Sequence, residues 1–262
     1  MSSADRSTAG WVRRPTDCYR ILTVPVSRAR GWRLYTRSGE RILDLTGGEG
    51  AALLGHRIAG VRRRISEALD RGTTLPLPGP WPQRLARLLG ATLATSVQTL
   101  TASCNMLLPL ATDDGASAVA IDGAASVAFR APLPSGEAPV LQFQPADPPS
   151  RQRLVELATD LGADSCAAMA AALVALQRVV SEPRERIAVA QTFQIPKRWG
   201  RHGVYLWSEQ PRGDGATWDA FRRYALERGL LLPRFGMPIV LPGEVGKHEQ
   251  RHWEELVHDW PE

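Results

Sequence analysis

The sequence predicts an α/β fold, because segments with the pattern of strands alternate with segments of helical periodicity. Residues 32–45 have the pattern of a β-hairpin, with a turn at Ser38 and Gly39. Residues 164–181 carry apolar side chains at helical spacing and predict a long helix. From Val204 onwards, short apolar strands and helices follow one another.

The composition is that of a globular protein. The chain has 262 residues, of which 44% are apolar, and this is enough to bury a substantial core. No stretch approaches the roughly 20 apolar residues of a membrane span, and the first residues lack the pattern of a secretion signal. The three cysteines do not have metal-ligand spacing, and their odd number argues against a disulfide framework. We therefore expect a cytoplasmic protein without a membrane partner.

The basic residues are scattered along the chain. The net charge is +5, and lysine occurs only at positions 197 and 247. The densest basic patch, Arg62 to Arg64, lies in a predicted helix whose apolar positions face inward. This pattern predicts a solvated helix face, so no nucleic-acid partner is expected.

A glycine-rich turn, Gly47–Gly50, follows the hairpin and precedes a helix predicted over residues 58–71. His56 lies just before that helix and is interpreted as a packing or capping residue. Asp44 and Glu49 are not interpreted as a catalytic pair, because one lies on a strand and the other in the turn.

Further elements are predicted from the same kinds of pattern. Residues 76–82 contain four prolines, which lack the amide donor of a regular helix, and so predict a linker. The remaining predicted elements are a helix at 83–93, strands at 118–122 and 139–143, a loop at 183–203, strands at 204–207, 230–232 and 239–241, a helix begun by Thr217, and a polar helix from about residue 244.

Two stretches of the chain carry a family resemblance. Residues 31–45, followed by the glycine-rich turn and then Leu54, Gly55 and His56, are similar to the first hairpin, glycine turn and Leu-Gly-His of class III aminotransferases. Residues 203–245 are similar to the C-terminal small domain of the same family, of which glutamate-1-semialdehyde aminomutase is one member.

The resemblance implies a reduced pyridoxal-phosphate-dependent transferase fold of type I. In this interpretation, a small α/β domain from both chain ends surrounds a shortened large-domain remnant that is mostly helical and strand-poor. The expected segments are a flexible N-terminus at 1–14, the N-terminal part of the small domain at 15–75, the cofactor-domain remnant at 76–199 and the C-terminal small domain at 200–262. A homodimer is also implied, because family members are dimers.

The resemblance further implies two cofactor-binding residues. Residues 101–106 stand where the family binds the cofactor phosphate, which suggests Ser103, although the glycine and glutamate of the family motif are missing. Asp122 stands where a family aspartate pairs with the pyridinium nitrogen, but Gly123 replaces the glutamate that follows it there.

The lysine that forms the Schiff base in this family has no counterpart. Residues 1–196 contain no lysine, and the equivalent position falls near Arg153. A guanidinium stays protonated and cannot serve as nucleophile or base. The sequence therefore predicts a non-catalytic protein with a binding or regulatory role and no cofactor. The alternative is an active pyridoxal-phosphate-dependent aminotransferase or aminomutase.

A second alternative is a metal-binding protein. His248, Glu249 and His252 spell H-E-x-x-H, a zinc motif in which two histidines share one helix face. Glu255 stands where the extended motif has a glycine that would turn the chain back towards His258. We therefore interpret this segment as a polar helix, with His248 and His252 as weak metal-ligand candidates and without a catalytic residue.

Overall fold

The computed structural model describes residues 9–13, 17–72, 75–94, 97–99, 106–109, 127–134, 139–144, 147–181, 184–208 and 215–260. These residues form helices and strands of a mixed α/β fold, as the sequence predicts. The helices are α1 (Val61–Asp70), α2 (Pro80–Ala94), α3 (Arg151–Thr159), α4 (Ala163–Ser181), α5 (Arg184–Gln191), α6 (Gly215–Glu227) and α7 (Lys247–His258). The strands are β1 (Gly10–Arg13), β2 (Val26–Arg30), β3 (Arg33–Thr36), β4 (Arg41–Asp44), β5 (Val97–Thr99), β6 (Met106–Pro109), β7 (Val127–Arg130), β8 (Pro139–Phe143), β9 (Trp199–His202), β10 (Tyr205–Ser208), β11 (Leu230–Leu231) and β12 (Ile239–Val240).

One sheet joins the two ends of the chain. Its strand order is β11-β4-β3-β2, and β3 and β4 form the predicted hairpin. Strand β11 pairs parallel with β4, with Leu230 opposite Leu43 and Leu231 opposite Asp44. The carboxyl ends of these two strands therefore lie at the same edge of the sheet.

A second sheet occupies the middle of the chain, with the strand order β1-β8-β7-β6-β5. It corrects the expectation of a strand-poor remnant, because strand pairing between distant segments leaves only a weak local pattern in each segment. It also corrects the expectation that residues 10–13 are flexible: they pair antiparallel with β8, from Gly10 opposite Gln142 to Arg13 opposite Pro139.

Helices α1 to α4 pack against one another. Helix α4 packs against α1 and α2, and α2 also packs against α3. Buried side chains of α4 include Met169, Leu173 and Leu176, which are the apolar positions predicted from sequence. Helix α2 begins at Pro80, three residues before its predicted start. Proline is compatible with a first helical turn, where amide groups have no partner within the helix.

The C-terminal part adds a small sheet with the order β12-β10-β9 and the helices α6 and α7. The segment predicted as a loop over 183–203 instead contains α5 and β9. Strand β9 is stabilised by antiparallel pairing with β10, from Trp199 opposite Ser208 to His202 opposite Tyr205. Aromatic side chains join β9 to α6 and α7; they are Trp199, Trp218, Phe221, Trp253 and Trp260. Within the described residues, no helix is both long enough and apolar enough to span a membrane.

Candidate binding site at the glycine-rich turn

The glycine-rich turn follows the carboxyl end of β4. The Leu45 amide donates to the Leu231 carbonyl at 3.0 Å, and the Val240 amide donates to the Leu45 carbonyl at 2.8 Å. The segments after β4 and after β11 therefore leave the sheet side by side. In open α/β sheets, ligands bind beyond the carboxyl ends of parallel strands, so this edge is the natural place for a site.

The backbone of the turn is left-handed over successive residues. Gly47 has φ 54°, Gly48 has φ 58° and Glu49 has φ 53°. Glycine adopts this conformation readily, whereas a glutamate there is strained. Gly47 is also required for space, because a Cβ at this position would lie 2.8 Å from the side chain of Val240.

Asp44 organises the base of the turn through four hydrogen bonds. The Thr46 amide and hydroxyl donate to Oδ1 at 2.9 and 2.6 Å, and the Tyr19 hydroxyl donates to Oδ2 at 2.8 Å. His56 Nε2 lies 2.8 Å from Oδ2, and since a carboxylate accepts, His56 donates through Nε2. Asp44 is 1% exposed, so these bonds supply the partners that water would otherwise provide.

Two contacts extend this network. The Gly48 amide donates to the Thr46 hydroxyl oxygen at 3.0 Å and so links the turn to Asp44. Burial, followed by the negative charge of Asp44, raises the pKa of the Tyr19 hydroxyl well above its usual range. Tyr19 therefore remains a neutral hydrogen-bond donor to Asp44 throughout the physiological pH range.

Glu49 brings a second buried carboxylate to the turn. Its side chain is 2% exposed and forms an ion pair with Arg234, whose Nε lies 3.0 Å from Oε1. The Arg234 side chain is 47% exposed, so one partner is buried and the other reaches solvent. Asp44 and Glu49 thus have different partners. This arrangement places a half-exposed arginine side chain, paired with a buried carboxylate, beside the turn.

The two residues implied to bind a cofactor, Ser103 and Asp122, lie outside the described residues. Arg153, near which the sequence predicts the position of the Schiff-base lysine, lies in the first turn of α3. Its Nη2 donates to the Ala9 carbonyl at 2.9 Å and its Nη1 donates to Glu156 at 3.3 Å. Lys197 and Lys247 are both exposed. Neither lysine therefore lies in an enclosed position suited to a covalently held pyridoxal phosphate.

The H-E-x-x-H segment forms the polar helix α7 that the sequence predicts. Glu249 is buried and hydrogen-bonded by Arg33, and it accepts the Gly246 amide at 2.7 Å as a cap of the helix. A general base must face the metal-bound water, whereas this carboxylate is held by another part of the fold. Across the described residues, no group of three or more His, Cys, Asp or Glu side chains is arranged to hold a metal ion. The catalytic zinc interpretation is therefore excluded for Glu249.

Sequence patterns did not identify several residues of the site. Thr46 could have been found, because a threonine two residues after an aspartate is a common local hydrogen-bonding arrangement. Tyr19 and Arg234 carry no such signal, since they reach the turn from positions 25 residues before Asp44 and far after Glu49. Only the tertiary fold brings them together.

Comparisons with known proteins agree with this fold. No protein-family model matches the chain. Among curated proteins, the glutamate-1-semialdehyde 2,1-aminomutase of Syntrophus aciditrophicus (strain SB) is 33% identical over 92 residues, which span 34% of this chain and 21% of that protein.

The solved structures resemble the chain over most of its length. Ornithine aminotransferase from Plasmodium yoelii matches with a TM-score of 0.54 and 9% identity, over 90% of this chain and 92% of that one. The glutamate-1-semialdehyde-aminomutase of Pseudomonas aeruginosa PAO1, solved as a lysine-to-alanine variant in complex with PMP, matches with a TM-score of 0.59 and 12% identity, over 90% of this chain and 87% of that one. The chain has the fold of the class III aminotransferases. This class III-like chain of 262 residues is shorter than those solved chains, which have about 430.

Proposed function

We propose that this class III-like chain lacks the Schiff-base lysine and serves a binding or regulatory role instead of catalysing amino-group transfer. The observation that carries the proposal is the absence of lysine from residues 1–196. The lysine position is expected near Arg153, whose guanidinium donates to the Ala9 carbonyl and to Glu156. Arginine cannot lose a proton at ordinary pH, so it can form no imine with an aldehyde.

The two lysines of the chain do not offer a replacement. Lys197 is exposed after α5, and Lys247 is exposed in the first turn of α7. An amine that forms a Schiff base is usually enclosed in an apolar pocket, whereas these two side chains face solvent. Neither position therefore favours an activated amine.

The glycine-rich turn supports a retained binding function. Residue Glu49 keeps a strained left-handed backbone, and such strain is found at functional sites more often than elsewhere. The half-exposed guanidinium of Arg234 stands beside it and can pair with a carboxylate or phosphate. We propose this edge of the sheet as the surface at which a small anionic ligand binds.

A solved neighbour supports non-covalent binding as a specific form of this role. It is a lysine-to-alanine variant in complex with PMP, so a related fold holds that molecule with a lysine removed. Pyridoxamine phosphate is therefore the first ligand to examine. Homodimer formation is a further proposal, and it rests on the family resemblance alone.

The deciding experiment is a spectroscopic test for a Schiff base. Purified protein is mixed with an equimolar amount of pyridoxal phosphate, filtered to remove free ligand, and examined for the absorbance band at about 410–430 nm of an internal aldimine. Borohydride reduction and peptide mapping then locate any attachment. We expect no retained band, and trace labelling alone at Lys197, Lys247 and the terminal amine.

The chain provides a matched control. Since it has lysine at only two positions, the double variant Lys197→Arg and Lys247→Arg is lysine-free while keeping both charges. Wild type and the double variant should behave alike in the spectroscopic test. A stoichiometric band that survives filtration in wild type and disappears in the double variant would establish the alternative, an active pyridoxal-phosphate-dependent aminotransferase or aminomutase.

A further inference from the structure

Two histidines of α7 form a side-chain pair that the proposed function does not use. His248 and His252 are one helical turn apart, and their ring centres lie 4.0 Å from each other with an angle of 56° between the ring planes. His248 is exposed and His252 is half-buried. Glu249, which lies between them in the sequence, is buried and accepts hydrogen bonds from Arg33.

The second ring is held in an orientation and tautomer suited to a metal ligand. His252 Nδ1 lies 2.7 Å from the Arg228 carbonyl oxygen, and because a carbonyl only accepts, Nδ1 carries the proton. The lone pair of the neutral ring is then on Nε2. Histidines that bind metals commonly donate their other ring nitrogen to a backbone carbonyl in this way.

The spacing of the two rings is close to that of a shared metal site. Two imidazole nitrogens that bind the same ion at about 2.0–2.1 Å hold their ring centres about 4.5–5 Å apart. The observed ring centres lie 4.0 Å apart, which is slightly closer. A rotation of the exposed His248 side chain that separates the two rings would therefore admit an ion.

We propose that His248 and His252 bind one divalent transition-metal ion at the surface of α7. Since the described residues contain no cluster of three such ligands, the protein supplies two nitrogens and water completes the coordination. Imidazole ligands suit copper, nickel and zinc, and Cu²⁺ binds most tightly of these. The ion would tie the start of α7 to the turn after α6 through the Arg228 carbonyl. This site is structural, and it is independent of the function proposed for the glycine-rich turn.

The test is a Cu²⁺ titration of the untagged full chain by calorimetry, with electron paramagnetic resonance of the bound ion. We expect one site whose spectrum shows coupling to two nitrogens. Replacing either ligand, as His248→Ala or His252→Ala, should weaken binding by about tenfold or more. The matched control is His258→Ala, since His258 is exposed on the same helix but does not contact the pair, and its affinity should stay within twofold of wild type.

Because His248 is exposed, its replacement should not disturb folding, so a change in Cu²⁺ affinity can be assigned to the lost ligand. His248→Ala removes a solvent-facing side chain, so its circular dichroism and melting temperature without metal should match those of wild type. Unchanged Cu²⁺ affinity in His248→Ala would overturn the proposal, as would an equal loss in His258→Ala or a spectrum with coupling to one nitrogen only.

Discussion

Arg33 and Glu249 are 216 residues apart in the sequence and form a two-point salt bridge in the fold. Nε donates to Oε1 at 2.7 Å and Nη2 donates to Oε2 at 2.8 Å. The two side chains are 14% and 7% exposed, so water screens the pair weakly. This contact joins α7 to the N-terminal hairpin, in addition to the strand pairing of β11 with β4.

Loss of one partner of this pair should destabilise the protein strongly. We expect Glu249→Ala to lower the free energy of unfolding by about 3 kcal/mol, because it leaves the Arg33 guanidinium buried without its main counter-ion. Urea denaturation measures the change. The control is Glu244→Ala, which removes an Arg33 partner that is 64% exposed and should cost less than about 1 kcal/mol. Equal effects of the two substitutions would contradict the assigned importance of Glu249.

The same carboxylate should make stability depend on acid pH. Burial alone would raise the pKa of Glu249, but hydrogen bonds from Arg33 and the Gly246 amide outweigh it and lower the pKa overall. A carboxyl group whose folded pKa is lowered stabilises the fold above its unfolded pKa, about 4.3, and this contribution is lost as pH falls through the folded pKa. We therefore expect wild type to lose more unfolding free energy below about pH 4.5 than Glu249→Gln does. Urea denaturation at several pH values measures the unfolding free energy of both proteins. If the two free energies fell in parallel with pH, Glu249 would not be the source of the acid sensitivity.

Substitutions in the Asp44 hydrogen-bond network should lower the free energy of unfolding by different amounts. Asp44→Ala leaves Tyr19, His56 and Thr46 without their shared acceptor, and we expect a loss of about 2–4 kcal/mol. Tyr19→Phe removes one donor while Asp44 keeps three others, so its cost should be about 1 kcal/mol. Thermal and urea unfolding compare the two. A larger effect of Tyr19→Phe than of Asp44→Ala would show that the network is not centred on the carboxylate.

The alkaline titration of the tyrosines tests the same network spectroscopically. Because burial and Asp44 raise the pKa of Tyr19, its hydroxyl should ionise only as the protein unfolds. A group with a raised folded pKa stabilises the fold below its unfolded pKa, here about 10, and that contribution is lost as pH rises through the folded pKa. The chain has four tyrosines, so the ultraviolet absorbance of tyrosinate should show a late step. That step should become smaller in Tyr19→Phe; an unchanged late step would assign it to another tyrosine.

Gly47 should not tolerate a side chain. Gly47→Ala combines a left-handed backbone with a Cβ placed 2.8 Å from Val240, and we expect it to cost about 2–4 kcal/mol. Gly39→Ala is the matched control, since Gly39 is also left-handed but has no neighbour within 4 Å of the added Cβ. Its cost should be about 1 kcal/mol, from backbone strain alone. Similar losses in chemical denaturation would mean that Val240 does not restrict the turn.

Local patterns were sufficient for the elements that local interactions stabilise. The hairpin β3–β4 and the helix α4 lie where alternation and helical spacing predict them. In the five-stranded sheet the strand at 139–143 was predicted, but strands such as Val97–Thr99 were missed, because they are short and derive their stability from distant partners. Helix α5 was missed within a segment interpreted as a loop.

The sequence by itself determined the fold class, the resemblance to class III aminotransferases and the absence of a lysine before position 197. These are properties of residue identity and local spacing, and they can be read directly from the sequence. Only the tertiary structure decided that Glu249 pairs with Arg33, that Tyr19 and His56 share Asp44, and that Arg234 reaches Glu49. Such contacts depend on how distant segments pack against one another. The energy of this packing belongs to the assembled fold and produces no periodic pattern of residues in the sequence.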